Sequence, residues 1–220
     1  LTIVRVMGLT GLGAYFGTTI VWTFANFALT WPSNGFIRFV TGEYQAGRVE
    51  RARHLYRLGV LLGLTGGLSA SVAFIVLAPK VAELTFGSAG YTNLVKVLAV
   101  DLALGGYNAY AQVGLSATMR FGKISVAQVL WALARYLTGL ALLFAGYGSV
   151  GLVAGWVVGD AINAVFNTYW SRDLLLGART PHPLRPVLTY ALPLALSGVI
   201  VTVLQSFDRV FVLAKLGLPE

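Results

Sequence analysis

The sequence has 220 residues, of which 57% are hydrophobic and 11% charged, with a mean hydropathy of +0.76 and a formal net charge of +8. A chain this apolar cannot supply the water-facing shell of a soluble protein of this size, and we expect it to lie in the lipid bilayer. The sequence contains no cysteine, which excludes thiolate catalysis, disulfides and Cys-ligated metals. His54 and His182 are too far from a second ligand cluster to indicate zinc, so we expect neither a metal nor a cofactor.

Six apolar stretches are long enough to cross a bilayer, which takes about 20 helical residues. The stretches show no two-residue alternation of the kind that indicates a β-barrel, so we predict an all-α, polytopic transmembrane helix bundle. Residues 1–10 resemble the end of a helix that begins before this chain. The six predicted spans are residues 11–37, 58–78, 97–119, 124–145, 149–170 and 187–207.

The connections between the predicted spans alternate between basic and weakly charged segments. The positive-inside rule places the basic connections in the cytoplasm and the others outside the cell. Such a distribution indicates membrane topology rather than a nucleic-acid-binding face. We therefore expect a multi-pass protein of the cell membrane without a nucleic-acid partner. The basic connections carry Arg48, Arg51, Arg53, Arg57, Arg120, Lys123, Arg172, Arg179 and Arg185.

Small residues and prolines indicate how the spans pack. Glycine recurs every four residues at 151, 155 and 159, and Gly63, Gly67 and Ser71 repeat the spacing on another span. This pattern lets helix backbones approach closely. Pro32 and Pro193 are expected to bend their spans, which transmembrane helices tolerate.

Polar residues follow one face of the span 97–119. Asp101, Gly105, Asn108, Gln112 and Ser116 recur at helical spacing, so this face is not expected to contact lipid. On the span 11–37, Asn26 shares a face with Tyr15, Thr19 and Trp22, a pattern more typical of packing than of a sugar-binding platform.

The turn "AGYGS" at 145–149 predicts that the spans 124–145 and 149–170 form an antiparallel pair. Counting from this turn places Arg135 and Asp160 at the same depth, and Gln128 level with Asn167, with Asn163 between the two levels. Either Arg135 and Asp160 neutralise each other as an interhelical clamp, or both line a wet cavity in which Arg135 meets an anion. Candidate cavity residues for substrate are Arg135, Arg38, Asn108, Gln112, Gln128, Asn163 and Asn167, and candidates for an ion pair or coupling are Asp160 and Asp101.

Arg38 is the second candidate for an anion contact, although an arginine at the end of a span usually extends to the membrane interface. Asp208 and Arg209 lie near the external interface by the same counting, where a salt bridge between helices or within a turn is the better interpretation. The chain has no Gly-x-Ser-x-Gly, P-loop or His-Glu-x-x-His motif, and we do not expect an enzyme.

Three segments resemble the polysaccharide transporters, the lipid-linked oligosaccharide flippases of the multidrug/oligosaccharidyl-lipid/polysaccharide exporter superfamily. They are "GFIRFVTGEYQAGRVERARHLYRLG" at 35–59, "GYGSVGLVAGWVVGDAINAVF" at 146–166, and the final "VLTYALPLALSGVIVTVLQSFDRVFVLAKLGLPE" at 187–220. The order of these pieces, over nearly the whole chain, carries the resemblance. A short echo between "RVMGLTG" and "AKLGLPE" also suggests an internal repeat.

The resemblance implies the N-terminal lobe of a two-lobed, inverted-V transporter. Residues 1–10 would be the end of a truncated first helix, 11–173 the helices of the lobe, 174–186 a cytoplasmic linker, and 187–220 the first helix of a C-terminal lobe. It also implies that the lobes flip a lipid-linked, pyrophosphate-bearing oligosaccharide or polysaccharide repeat unit by alternating access. The implied partners are this substrate, membrane lipids and the C-terminal lobe of the same polypeptide.

Two alternatives remain open at this point. Multidrug antiporters of the same superfamily couple transport to cations through intramembrane acids, and Asp101 and Asp160 are compatible with that function. A membrane-embedded glycosyltransferase would need a carboxylate-bearing loop at an interface, whereas the loops here carry mainly arginines.

Overall fold

The computed structural model describes the backbone of residues 2–216 and the side chains of residues 7, 8 and 10–204. Within this part of the chain every regular element is a helix, as the sequence predicts. A 3₁₀ turn, Ala89–Tyr91, precedes α5, and a π-helical turn, Leu143–Tyr147, joins α6 to α7. The helices are α1 Thr2–Thr30, α2 Ser33–Gln45, α3 Val49–Val76, α4 Ala78–Phe86, α5 Thr92–Ala117, α6 Phe121–Leu142, α7 Gly148–Trp170, α8 Arg172–Leu175 and α9 Arg185–Leu216.

Three helical segments of the described chain are long and apolar enough to cross a membrane: Val49–Val76, Phe121–Trp170 and Arg185–Leu204. The second is 50 residues long and contains both α6 and α7, so four of the six predicted spans overlap these segments. The stretches 11–37 and 97–119 are helical, and their crossing of the membrane stays a prediction.

Backbone breaks occur where the sequence contains Gly or Pro. The first predicted span is divided at Trp31–Pro32, where α1 ends and α2 begins, because proline cannot continue the hydrogen-bond ladder. Gly8 has φ 69°, and this left-handed backbone kinks α1 inside the segment predicted to end an earlier helix. Pro193 is accommodated within α9. Gly146 and Gly148, with φ 92° and 56°, reverse the chain between α6 and α7.

Close backbone contacts confirm the packing role of the glycines. A Cβ on Gly63 would lie 2.6 Å from the carbonyl oxygen of Gly106, and one on Gly67 would lie 2.7 Å from that of Ala103. These contacts bring α3 against α5. In the α6–α7 pair, a Cβ on Gly159 would lie 2.8 Å from the Cβ of Arg135. Both pairs are close because at least one helix of each carries glycine at the crossing.

The three basic connections meet at one end of the bundle, which we call the basic end. Arg120, in the α5–α6 turn, donates to the carbonyl oxygen of Trp170 over 2.6 Å. Arg53 and Arg57 of α3 donate to the carbonyl oxygens of Asp173 and Gly177 over 3.2 and 3.1 Å. Their clustering agrees with the alternation on which the topology prediction rests. Which side of the membrane this end occupies stays a prediction.

A carboxylate on α2 fixes the start of α3 and the predicted linker. Glu43 accepts two hydrogen bonds from Arg48, over 2.6 and 3.0 Å. His182 of the linker places Nε2 3.8 Å from Glu43 Oε1. Hydrogen bonding from Arg48 lowers the pKa of Glu43 below 4.5, with smaller electrostatic contributions from Arg48, His182 and Arg51, against an opposing effect of burial. The predicted linker 174–186 is therefore held against α2 at the basic end.

This lowered pKa predicts a pH-dependent stability. The stabilising effect of the Glu43 carboxylate is fully present above the unfolded-state pKa of about 4.5 and is lost as the pH falls through the lower folded-state value. We expect Glu43→Gln to lower Tm at pH 7, and the difference from wild type to shrink as the pH falls below about 4.5. Thermal unfolding, followed by fluorescence-detection size-exclusion chromatography over a series of pH values, measures the Tm difference and its dependence on pH. Glu83→Gln, at an exposed position, is the control, and a Tm difference that is constant down to pH 3 would contradict the assignment.

Candidate functional site

The close α6–α7 crossing sets Arg135 and Asp160 at one level. A Cβ on Gly159 would lie 3.0 Å from the carbonyl oxygen of Trp131 as well as 2.8 Å from the Cβ of Arg135. Asp160 follows Gly159 directly, so it lies beside the turn of α6 that carries Arg135. The depth match deduced by counting from the hairpin turn is thus present in the fold.

Asp160 is buried and is held by neutral donors. The indole Nε1 of Trp131 donates to its Oδ1 over 2.6 Å, and the side-chain amide of Asn108 donates to its backbone carbonyl oxygen over 2.9 Å. These two bonds join α5, α6 and α7 at a single point. No arginine or lysine nitrogen of the described chain lies within 4.0 Å of the Asp160 carboxylate. Arg135 and Asp160 therefore make no direct salt bridge, although they lie within electrostatic range of each other.

Arg135 is instead held by aromatic rings. Its guanidinium carbon lies 4.4 Å from the ring centroid of Trp156 and 5.0 Å from that of Trp131. Its Nε is buried without a hydrogen-bond partner in the described chain. Cation–π contacts stabilise the charge through the flat face of the guanidinium, and they do not use the N–H donors at its edge. Arg135 is thus a half-buried cation that makes no salt bridge in the described chain.

A cavity of about 280 Å³ opens beside this arginine, between α1, α6 and α7. Tyr15 and Trp156 form one wall, with their rings edge to face and 5.5 Å apart. The cavity is mainly apolar, and Arg135 supplies its charge. It is lined by Leu12, Tyr15, Arg135, Tyr136, Gly139, Leu140, Leu152 and Trp156.

Asp101 lies in the same interior, within electrostatic range of Asp160 and Arg135. Its side chain is 1% exposed, and neither carboxylate oxygen makes a hydrogen bond of normal geometry in the described chain, although the Trp22 indole and the Asp160 carboxyl lie beside it. The indole nitrogen of Trp22 and the amide oxygens of Asn26 and Asn108 are also buried and unpaired. Each such atom costs about 1–3 kcal/mol, which distinguishes this place from ordinary helix packing. We call the group Trp22, Asn26, Asp101, Asn108, Trp131, Arg135 and Asp160 the mid-span polar cluster.

Comparison with family models matches residues 12–218 to a family described as polysaccharide biosynthesis protein. This match covers nearly the whole chain. The chain belongs to the polysaccharide biosynthesis protein family. The resemblance inferred from its sequence motifs is confirmed at the level of the family, and the apolar helices give this polysaccharide biosynthesis protein a membrane setting. Searches of curated proteins and of solved structures gave no match.

The second pair of residues placed at one depth, Gln128 on α6 and Asn167 on α7, forms no hydrogen bond between the two helices in the described part of this polysaccharide biosynthesis protein. Asn167 donates to the side-chain oxygen of Asn163, one turn away on α7, over 3.0 Å. Gln128 and Gln112 are half-buried and make no side-chain hydrogen bond in the described chain. Asn163 and Asn167 are buried, so they form a polar stripe inside the lobe. No side-chain hydrogen bond joins Gln128 to Asn167 in the described chain, and their matching depth stays a prediction.

Arg38 is not in the mid-span polar cluster. It is exposed on α2, and its guanidinium carbon lies 4.2 Å from the ring centroid of Tyr190 on α9. Its position suits a contact between the lobe and the following helix better than a shared anion site with Arg135. Asp208 and Arg209 lie outside the residues whose side chains are described.

Sequence reasoning missed the two tryptophans that hold the charged pair. Trp131 precedes Arg135 by four residues, and Trp156 precedes Asp160 by four. Each therefore shares a helix face with its charged residue. The spacing was the available signal for the Trp131–Arg135 contact within α6, whereas the contacts of Trp156 with Arg135 and of Trp131 with Asp160 cross between α6 and α7.

Proposed function

We propose that this polysaccharide biosynthesis protein is the N-terminal lobe of a transporter that flips a lipid-linked, pyrophosphate-bearing saccharide across the cell membrane. The lobe would act with a C-terminal lobe of the same polypeptide by alternating access. The function is transport rather than an enzymatic reaction. The observation that carries this proposal is the half-buried Arg135, which lines a cavity and makes no salt bridge within the part of the chain that the structure describes.

The chemistry of Arg135 suits a pyrophosphate. A guanidinium presents parallel N–H donors that match two phosphate oxygens at once, and such charge-assisted bonds are about twice as strong as neutral ones. The rings of Trp131 and Trp156 orient the guanidinium plane, so little freedom is lost on binding. The amides Asn108, Gln112, Gln128, Asn163 and Asn167 are the proposed contacts for the saccharide.

The packing of α9 against α1 and α2 favours a second lobe that would dock on the same two helices. A Cβ on Gly198 would lie 2.7 Å from the ring of Phe27, and one on Gly35 would lie 3.1 Å from the Cβ of Ala191. The Arg38–Tyr190 contact lies on the same side of the lobe. Because α1 also borders the Arg135 cavity, movement at this interface would change access to the cavity.

The proposal is tested with the complete protein in cells that lack their own copy. We expect it to restore surface glycan and to clear the lipid-linked precursor that accumulates in its absence. Restored glycosyl transfer to the precursor without export would instead indicate an enzyme and would reject transport.

Asp101 specifically favours a second candidate, a cation-coupled drug antiporter. Its buried, unpaired carboxylate oxygens are the type of ligand that a coupling cation or proton needs. Under our proposal, the wild-type protein confers no drug resistance, so Asp101→Asn should leave drug sensitivity unchanged. Minimum inhibitory concentrations for a cationic drug panel, measured with wild type and Asp101→Asn, separate the two functions. If wild type confers resistance and the variant loses it while glycan export is unaffected, the antiporter is correct.

A further inference from the structure

The outer face formed by α3, α5 and α7 contains an apolar groove of about 610 Å³. Leu64, Leu68 and Val165 line it and are 41%, 51% and 65% exposed. The hydroxyl groups of Tyr107 and Thr168 bond to each other at its surface, so they do not require outside partners. The groove is lined by Leu64, Leu68, Ala103, Leu104, Tyr107, Ala164, Val165, Thr168 and Tyr169.

A polar pocket of about 510 Å³ adjoins this groove at the basic end. Tyr169 lines both, so the apolar and polar surfaces are continuous. Tyr169 and Trp170 supply amphipathic rings at this position, as aromatic residues commonly do where a bilayer meets water. The pocket is lined by Arg120, Lys123, Tyr169, Trp170, Arg172 and Asp173.

Two of the three cations in the pocket are not neutralised. Arg120 binds both carboxylate oxygens of Asp173, over 3.0 and 2.7 Å, and is already paired. Lys123 and Arg172 have no carboxylate within 4.0 Å in the described chain. The guanidinium carbon of Arg172 lies 4.8 Å from the ring centroid of Tyr169, which places its charge at the mouth of the groove.

We propose that the groove and the pocket together bind an anionic phospholipid. Its phosphate would lie between Lys123 and Arg172, and one acyl chain would follow the groove between Tyr169 and Leu68. Basic pockets between transmembrane helices that continue into apolar grooves have this complementarity of charge and shape. Helix α9 packs against α1 and α2, so it leaves this face uncovered within the described chain.

This site is separate from the proposed substrate cavity. Arg135 and its cavity lie between α1, α6 and α7, whereas the acyl chain would follow the face made by α3, α5 and α7, and the phosphate would lie at the basic end, beside the start of α6 and α8. Substitutions that remove the phospholipid site should therefore leave the Arg135 cavity intact. A negative result for phospholipid binding would not contradict the proposed transport function, and the reverse also holds.

The test is a lipid titration of the complete protein in mild detergent by native mass spectrometry, with phosphatidylglycerol and phosphatidylcholine of equal chain length. We expect phosphatidylglycerol to bind at least about 10-fold more tightly. Lys123→Gln/Arg172→Gln should weaken its binding about 30-fold, as roughly 1 kcal/mol per basic residue implies. Lys80→Gln/Lys96→Gln, which removes two exposed lysines distant from the pocket, is the matched control and should bind as wild type does. Lys123→Arg/Arg172→Lys keeps both charges and should retain most of the binding.

Several results would overturn the proposal. They are equal binding of the two lipids, an equal loss in the two charge-removing variants, or failure of the charge-preserving variant to retain binding in a folded protein. Inorganic phosphate that displaces phosphatidylglycerol at equal concentration would indicate a site for free anions. A polyprenyl phosphate that displaces it at much lower concentration would assign the site to the transported lipid instead.

Discussion

Replacing Arg135 with alanine should reduce glycan export by about 10-fold to 100-fold. A hydrogen bond to a charged group contributes about 1.5–3 kcal/mol, and each 1.4 kcal/mol is a factor of ten. The proposed pyrophosphate contact depends on this one guanidinium, because Asp160 is bound to Trp131 and does not compete for it. Arg135→Lys should recover only part of the loss, since it keeps the charge without the planar fork. Export is measured as surface glycan at matched protein levels.

The control for this prediction is Arg51→Ala. Arg51 is exposed at the basic end, away from the mid-span polar cluster, and its loss removes the same charge. We expect export within about twofold of wild type. If Arg135→Ala exports at the wild-type level, or if Arg51→Ala fails equally, Arg135 does not bind the substrate.

The α6–α7 crossing predicts the largest structural effect, at Gly155. A Cβ on this residue would lie 2.7 Å from both the backbone nitrogen and Cα of Gly139, and would also collide with the carbonyl oxygen of Arg135. These are backbone atoms, so the helices themselves must separate. We expect Gly155→Ala to cost about 1–3 kcal/mol and to lower Tm by several degrees. Because the contact includes Arg135, export should fall as well. Tm is measured by size-exclusion fluorescence in detergent.

Gly122→Ala is the matched control for this effect. Gly122 lies in the first turn of the same α6, and a Cβ there would have no neighbour within 4 Å. Alanine favours a helix over glycine, so the control should keep or slightly raise Tm. If both substitutions change Tm equally, the close crossing is not what stabilises the hairpin.

The architecture was predictable wherever it depends on local chemistry. Apolar length gave helices in the predicted stretches, Pro32 marked a real break, and the glycines of α3 and α7 marked real contacts. Counting residues from the "AGYGS" turn placed Arg135 beside Asp160, because two antiparallel helices of equal rise keep their levels matched. The predicted domain boundaries and sidedness depend on a second lobe and a membrane, and they stay predictions.

The partners of the charged residues were not predictable from level alone. Counting residues along two antiparallel helices shows which residues lie at the same depth. The rotation of each helix about its axis and the length of each side chain decide which atoms come into contact. Arg135 contacts the rings of Trp156 and Trp131, and Asp160 accepts a hydrogen bond from the Trp131 indole. The direct ion pair, one of the two alternatives that the sequence left open, is not formed within the described chain. Arg38 differs for a related reason: the break at Pro32 redirects α2 towards α9.

The central claim is that this lobe carries a lipid-linked saccharide past Arg135, and its most direct measurement is translocation in proteoliposomes. The complete protein is reconstituted with a labelled lipid-linked saccharide, and the label exposed on the outer leaflet is followed with a membrane-impermeant quencher. We predict protein-dependent exchange between leaflets that is largely lost with Arg135→Ala and retained with Arg51→Ala. An absence of exchange with wild-type protein, or equal exchange with Arg135→Ala, would contradict the account.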